Sequence, residues 1–395
     1  MIVKKMQALG EKRSVIREIF EYGNARRAEI GAENVFDFSL GNPSGPAPDA
    51  VNETLVKMLT ESDSVSLHGY TSAPGDAGVR KAIADYLNKT YQVGASFTDL
   101  YMTVGAAASL SACLSAVAGK DEEVVVFAPF FPEYRVFTEM TGASLRIVPA
   151  DEATFEINFD ALADTLSEKT AAVIINSPNN PSGAVISEGS LLKLAEMLKA
   201  AEEKYGHVIY LIADEPYREL VYDGVSVPYA TKYYDDTLVC YSFSKSLSLP
   251  GERIGYVFVS PTAKEHNAVY AAICGAGRAL GYVCAPSLFQ KLLPYCLGMV
   301  SDLATYKLNR DLLYEGLSAY GFTLKKPDGA FYLFMKSPEA DANAFCERAK
   351  KYELLLVPGD DFACPGYVRI AYCVTTEQIR RSLPAFEALA KEYNL

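Results

Sequence analysis

Thr237-Leu238-Val239-Cys240-Tyr241 runs straight into Ser242-Phe243-Ser244-Lys245, and Gly251-Glu252-Arg253-Ile254-Gly255 follows after a Leu-Pro-Gly turn. A short apolar run thus ends at small hydroxyl residues holding a single lysine. Apolar walls at a strand end make a lysine easier to deprotonate, and a neutral lysine attacks carbonyls. Arg253, eight positions on, offers a two-pronged grip for a phosphate. Together they point to a lysine bound to a phosphorylated aldehyde cofactor. A lone lysine is ordinarily a solvated side chain, so the idea depends on what the rest of the chain supplies.

Similar runs stand on either side. Apolar, β-rich stretches occupy 124–128, 145–148, 171–175, 208–213 and 256–259, with a helical pattern at 188–205 among them. Runs without polar alternation fit strands buried on both faces, and their alternation with helices predicts an α/β domain with a mainly parallel sheet. Such sheets bind ligands beyond the carboxyl ends of their strands. From about residue 290 the pattern becomes a long helical stretch, short apolar runs at 322–324, 329–334, 354–357 and 367–372, and a last helix. This predicts a smaller α+β domain. The expected division is a large domain over 46–290 and a small one built from 1–45 and 291–395. The first thirty residues read as helix, with Ser14 as a cap. The run 35–40 then enters a loop dense in breakers, starting at Gly41.

Bulk composition excludes several classes. Half of the 395 residues are hydrophobic and 22% are charged, as in an ordinary folded chain. No apolar run reaches the roughly 18 residues of a membrane helix. Met1-Ile-Val-Lys-Lys has no apolar stretch behind it, so no secretion signal is expected. Eight cysteines stand singly and only three histidines are present, which argues against a zinc or iron–sulfur site. Most of these cysteines sit in apolar runs and read as reduced core residues, which favours the cytoplasm. The net charge of −12 opposes nucleic acid or an anionic membrane as partner.

Five clusters carry chemistry. Asp214 closes the run Tyr210-Leu-Ile-Ala and precedes Glu215-Pro-Tyr217. An acid there ordinarily caps a helix; its alternative is a counter-ion that keeps a pyridinium ring able to accept electrons. Tyr217, otherwise a core residue, can donate to a ring oxygen. Asn176-Ser-Pro-Asn-Asn180-Pro-Ser-Gly183 is a turn-rich loop in which Asn180 can hold the same oxygen. Thr103-Val-Gly105-Ala106-Ala107 opens a helix whose amides can cradle a phosphate, although many helices start this way. Phe131, in Pro129-Phe-Phe-Pro-Glu-Tyr134, either stacks on a planar ring or fills the core. Arg369 lies in the apolar run Tyr367-Val-Arg-Ile-Ala-Tyr372 and needs an anion there: a protein carboxylate or a substrate's.

In this order, from the Gly41 loop to Arg369, the clusters resemble the class I/II pyridoxal-phosphate aminotransferases of fold type I, the aspartate-aminotransferase-like group. The motifs Ser-x-Ser-Lys…Arg and Asn-Asn-Pro-Ser-Gly carry the resemblance. It implies a seven-stranded sheet in the large domain and pyridoxal 5'-phosphate as cofactor. Lys245 would form the Schiff base and shuttle the proton between Cα and C4′. Asp214 would pair with the pyridinium nitrogen, Tyr217 and Asn180 with the phenolic oxygen, and Phe131 would stack on the ring. Gly105, the amides of Ala106 and Ala107, Ser242, Ser244 and Arg253 would hold the phosphate. Tyr70 would reach the phosphate of the neighbouring subunit, since the group is typically a homodimer with shared active sites. Arg369 would clamp the α-carboxylate, helped by the Gly41 backbone and Asn180.

The substrate side chain is harder to read. Some bacterial aspartate aminotransferases place a lysine where this chain has Ala107. Another branch brings an arginine from the partner subunit near the position of Arg278. The expected activity is amino transfer from an L-amino acid, aspartate first, to a 2-oxo acid, 2-oxoglutarate first, with Arg278 reading the distal carboxylate. An aromatic or alanine aminotransferase, a C–S β-lyase or a decarboxylase would start from the same cofactor chemistry, and the motifs do not separate them. A non-catalytic cofactor-binding regulator is opposed by the charge and by a chain start that leaves no room for a DNA-binding module.

Overall fold

The apolar runs of the middle of the chain are strands, and their order explains where the site forms. A computed structural model describes residues 2–11 and 15–395; Ser14, the expected helix cap, lies outside the described residues. In chain order the strands are β1 (Phe36–Asp37), β2 (Leu100–Thr103), β3 (Glu123–Phe127), β4 (Ser144–Val148), β5 (Thr170–Asn176) and β6 (Tyr210–Asp214). They continue with β7 (Thr237–Ser242), β8 (Gly255–Val259), β9 (Tyr332–Lys336), β10 (Leu354–Leu355), β11 (Val357–Pro358) and β12 (Tyr367–Ala371).

Seven strands form one sheet in the order β2-β8-β7-β6-β5-β3-β4. Strands β3 to β7 are mutually parallel, and β8 alone is reversed, antiparallel to both β7 and β2. This is the mainly parallel, seven-stranded α/β sheet that the resemblance implies. Every residue of β5, β7 and β8 is buried, as unbroken apolar runs require when helices cover both faces. On one face Val125, Val173, Leu211 and Val239 pack with helices Ala77–Tyr91 and Glu188–Tyr205. On the other, Val126, Ile174, Ile212 and Leu238 pack with helices Ala106–Val117 and His266–Ala279.

Register sets the rim. Asn176 pairs with Asp214, and Asp214 with Cys240, so β5, β6 and β7 end side by side. Ser242 opposes Gly255, and Gly255 opposes Thr103, which brings the helix after Gly105 to the same rim.

Beyond residue 290, β11, β12 and β9 form an antiparallel sheet in that order. The run at 322–324 forms no strand; Leu324 makes only an isolated bridge to Met335. Strand β1 pairs in parallel with β10. Phe38 then bonds through its backbone to both Leu355 (3.0 Å) and Ala371 (2.9 Å). The segment 36–41 is thereby strapped between β10 and β12, which carries Ser39 and Gly41 to the rim of the large sheet. Among the described residues no helix is long and apolar enough to cross a membrane.

Candidate active site

At this rim opens a cavity of about 310 Å³. Its walls include Gly41, Ala106, Ala107, Phe131, Asn180, Asp214, Tyr217, Ser242, Ser244, Lys245, Arg253 and Arg369. Residues far apart in sequence, singled out for their chemistry, thus meet in one place.

Strand β7 ends at Ser242, whose Oγ accepts from the Ser244 amide at 3.3 Å and caps the short helix Phe243–Ser246. That turn points Lys245 into the cavity. Its Nζ donates to the Gly41 carbonyl at 2.6 Å and lies 5.3 Å from the centre of the Phe331 ring. Burial, reinforced by the charges of Arg369 and Arg253 and opposed by Cys373, brings its pKa down to about 8. A substantial neutral fraction therefore exists near physiological pH.

Asp214, the last residue of β6, is enclosed. Its Oδ2 accepts from the Tyr134 hydroxyl at 2.6 Å, and Oδ1 has no partner among the described residues. Burial pushes the carboxyl up to about 7, although the Tyr134 bond works the other way. No helix starts directly after Asp214, so the capping alternative falls away. An unpaired carboxylate oxygen in a cavity wall demands a donor, and a cationic ring nitrogen supplies one.

At the other end, Gly105 has φ 93° and precedes helix Ala106–Val117. A Cβ there would fall 2.8 Å from Arg253 Nη2, so only glycine allows both the left-handed backbone and the close guanidinium. Arg253 also adopts a left-handed conformation (φ 51°), and its Nη1 donates to the Pro250 carbonyl at 2.8 Å. First-turn amides, two serine hydroxyls and a guanidinium converge here, a donor set suited to a phosphate.

Arg369 is buried in β12. Its Nη1 donates to Asn180 Oδ1 (3.1 Å) and Nη2 to the Ser39 carbonyl (2.5 Å), while Nε has no partner among the described residues. The guanidinium lies 4.8 Å from the Tyr332 ring centre and 5.0 Å from that of Phe362. Burial lowers its pKa, and no carboxylate offsets that loss. The protein-carboxylate option is therefore not realised; the cation faces a cavity without its counter-charge. Because arginine only donates, this contact also fixes the Asn180 amide: Oδ1 turns to Arg369, which leaves Nδ2 as the donor for the cavity.

Two predicted residues lie elsewhere in the single chain. Tyr70 is 99% exposed, and Arg278, near the end of helix His266–Ala279, is exposed too. Cys284 Sγ lies 3.4 Å from the Thr71 carbonyl, so the segment after Arg278 runs beside Tyr70. Three residues escaped the sequence reading. Asn176, which donates to the Asp214 carbonyl at 2.9 Å, carried a signal as a polar strand end. Tyr134 sits one helical turn after the Pro129–Phe131 cluster, and Tyr332 is hidden in an aromatic run.

A family profile described as aminotransferase class I and II matches residues 33–386. The chain belongs to that family. This aminotransferase is similar to a solved amino transferase from Eubacterium rectale, with 56% identity, complete coverage of both chains and a TM-score of 0.98. It is 30% identical over 359 residues to the aspartate aminotransferase of Thermotoga maritima, covering 90% of this chain and 91% of the relative. An aromatic-amino-acid aminotransferase from Thermococcus litoralis is 28% identical over 399 residues, covering 97% of each chain. Aminotransferases of this family use pyridoxal 5'-phosphate. The free Asp214 oxygen, the lysine of lowered pKa and the donor set around Gly105 fit that group. When bound, it supplies an electron-accepting ring joined to the carbon that takes up the amino group.

Proposed function

We propose that this aminotransferase moves the amino group of L-aspartate to 2-oxoglutarate in the cavity around Lys245. The observation that carries amino-acid chemistry is Arg369, a buried cation without a counter-charge in the wall that also holds Lys245. In this reading Arg369 grips the α-carboxylate, with the Gly41 backbone and Asn180 beside it, and turns the Cα–H bond toward Lys245. Lys245 Nζ takes the Cα proton as base and later returns it as acid, which a pKa of about 8 suits. Asp214 Oδ1 would hold the ring nitrogen, and Tyr217 and Asn180 Nδ2 would donate to the ring oxygen. Phe131, in the same wall, would stack on the bound ring. The Ala106 and Ala107 amides, Ser242, Ser244 and Arg253 hold the phosphate.

Tyr70 of a second copy completes this grip, which makes the working unit a homodimer. Its exposure and the proximity of the segment after Arg278 support a shared face. The division into 46–290 against 1–45 with 291–395 is supported by the sheets: the seven-stranded one lies within 46–290, and the two- and three-stranded ones are built from the other two segments. Aspartate is favoured by the names of several relatives. Arg278 supplies the second cation, because Ala107 leaves the cavity of one chain without it. An aromatic or other uncharged donor is the second reading, favoured by the apolar residues Ile16, Leu110 and Pro216 in the cavity wall.

A half-reaction panel tests the proposal. Aspartate converts the visible-absorbing cofactor to the pyridoxamine form without release of ammonia or pyruvate; release of either favours a lyase. Arg278→Leu lowers kcat/KM for aspartate by about 30-fold, equivalent to about 2 kcal/mol for a lost charged pair, and leaves alanine unaffected. An unchanged preference for aspartate over alanine removes Arg278 from the site.

A further inference from the structure

We propose that Tyr332 is a positioning residue whose hydroxyl donates to Tyr217 and thereby fixes the direction in which Tyr217 donates into the cavity. The inference rests on the cofactor reading above and adds a residue to it.

Tyr332 opens β9 and is buried in the cavity wall. Its hydroxyl lies 3.0 Å from that of Tyr217, and the two rings meet edge to face at 5.7 Å. The hydroxyl is confined from the other side by Gly41. A Cβ at Gly41 would lie 1.8 Å from the Tyr332 oxygen, so only glycine leaves it room. The Tyr332 ring meanwhile packs against the Arg369 guanidinium. One side chain therefore touches the ring-oxygen donor, the carboxylate receptor and the loop whose carbonyl accepts from Lys245.

Proton counting gives the contact its direction. Two hydroxyls share one hydrogen bond, and only one proton lies in it. Burial, the main cause in both, keeps both phenols protonated: Tyr217 is pushed well above the ordinary range and Tyr332 up to about 12. If Tyr217 were the donor, it would present only a lone pair to a negatively charged ring oxygen. With Tyr332 as donor, the Tyr217 proton is free for the cavity, and the bond behind it strengthens its donation. Arg369 does the same for Asn180, whose Oδ1 it occupies. Each donor to the ring oxygen is thus oriented by a residue behind it.

Tyr332→Phe removes the hydroxyl and keeps the ring, so the packing on Arg369 stays. Donors to the ring oxygen stabilise its anion and help the adjacent Lys245 nitrogen give up its proton. In the cofactor-loaded variant the pH midpoint of the visible band moves up by about half a unit, the share of a neutral hydrogen bond. Affinity of the apoprotein for pyridoxal 5'-phosphate, measured by equilibrium binding, falls roughly three-fold on the same basis. KM for the amino acid stays unchanged. In a Tyr217→Phe background the second substitution shifts neither quantity, because its route is gone. A wild-type band whose midpoint does not move in Tyr332→Phe overturns this inference alone, as does an equal shift in both backgrounds. Absence of any visible band in the wild type overturns the cofactor reading and this inference with it.

Discussion

Lys245→Ala abolishes the covalent visible absorbance of the bound cofactor and lowers turnover by about four orders of magnitude or more. The loss is large because nothing else in the cavity can substitute. The other cations in its wall among the described residues are Arg253 and Arg369, and guanidinium groups do not release their protons at working pH. Misfolding is not the cause: the hydrogen bond lost with the amine is a single one, to the Gly41 carbonyl. The variant keeps its phosphate-binding donors and takes up the cofactor without the covalent link, which dialysis then removes. Wild-type apoprotein adds a pH arm. Capture of the cofactor rises with pH to a plateau, with a midpoint near the lysine pKa of about 8, since only the neutral amine attacks. Stopped-flow absorbance between pH 6 and 10 measures it. A midpoint at the ordinary lysine value would show that burial does not act on Lys245, and normal turnover in Lys245→Ala would falsify the functional proposal.

Asp214→Asn has two effects of opposite sign. Activity falls by about a hundred-fold or more, because the ring nitrogen loses a preorganised negative partner. Stability of the cofactor-free protein rises at neutral and alkaline pH. The folded pKa is about 7 against an ordinary 3.8, so folding favours the protonated acid. The stabilising effect is complete below pH 3.8 and disappears as pH climbs through 7, where the enclosed carboxylate must ionise. Asparagine escapes that penalty. At pH 8 the variant apoprotein is more resistant to denaturant, by up to about 4 kcal/mol from a shift of this size. Near pH 4 the two proteins unfold alike. Urea titrations at both pH values decide, and a wild type at least as stable as the variant at pH 8 contradicts the enclosed-carboxylate account.

Much of the large sheet is legible in the chain because strands buried on both faces are unbroken apolar runs. The runs at 124–128 and 171–175 fall within about a residue of β3 and β5. The reversal of β8 is not legible, since a fully buried run carries no mark of its direction. Strand β2 escapes for a different reason: Leu100 to Thr103 is only four residues and merges into the loop before Gly105. In the site, lysine, aspartate and arginine stand out because charge in an apolar setting demands a partner. Tyr134 and Tyr332 do not. The chain has 26 tyrosines, and a buried one resembles any other core residue until the partner of its hydroxyl is known. Tyr70 and Arg278 act, in this reading, on a second copy, which the pattern of one chain does not place.

The unpartnered Nε of Arg369 couples the stability of the fold to the carboxylates it binds. Arg369 keeps two neutral acceptors, Asn180 Oδ1 and the Ser39 carbonyl, but no carboxylate among the described residues offsets its burial, so a bound carboxylate adds a charge pair that the fold itself does not supply. Any small molecule that brings a carboxylate to the guanidinium stabilises the fold, by an amount that grows with the logarithm of its concentration above its dissociation constant. Protein with such a ligand bound is therefore expected to resist heat and proteases better than the free protein.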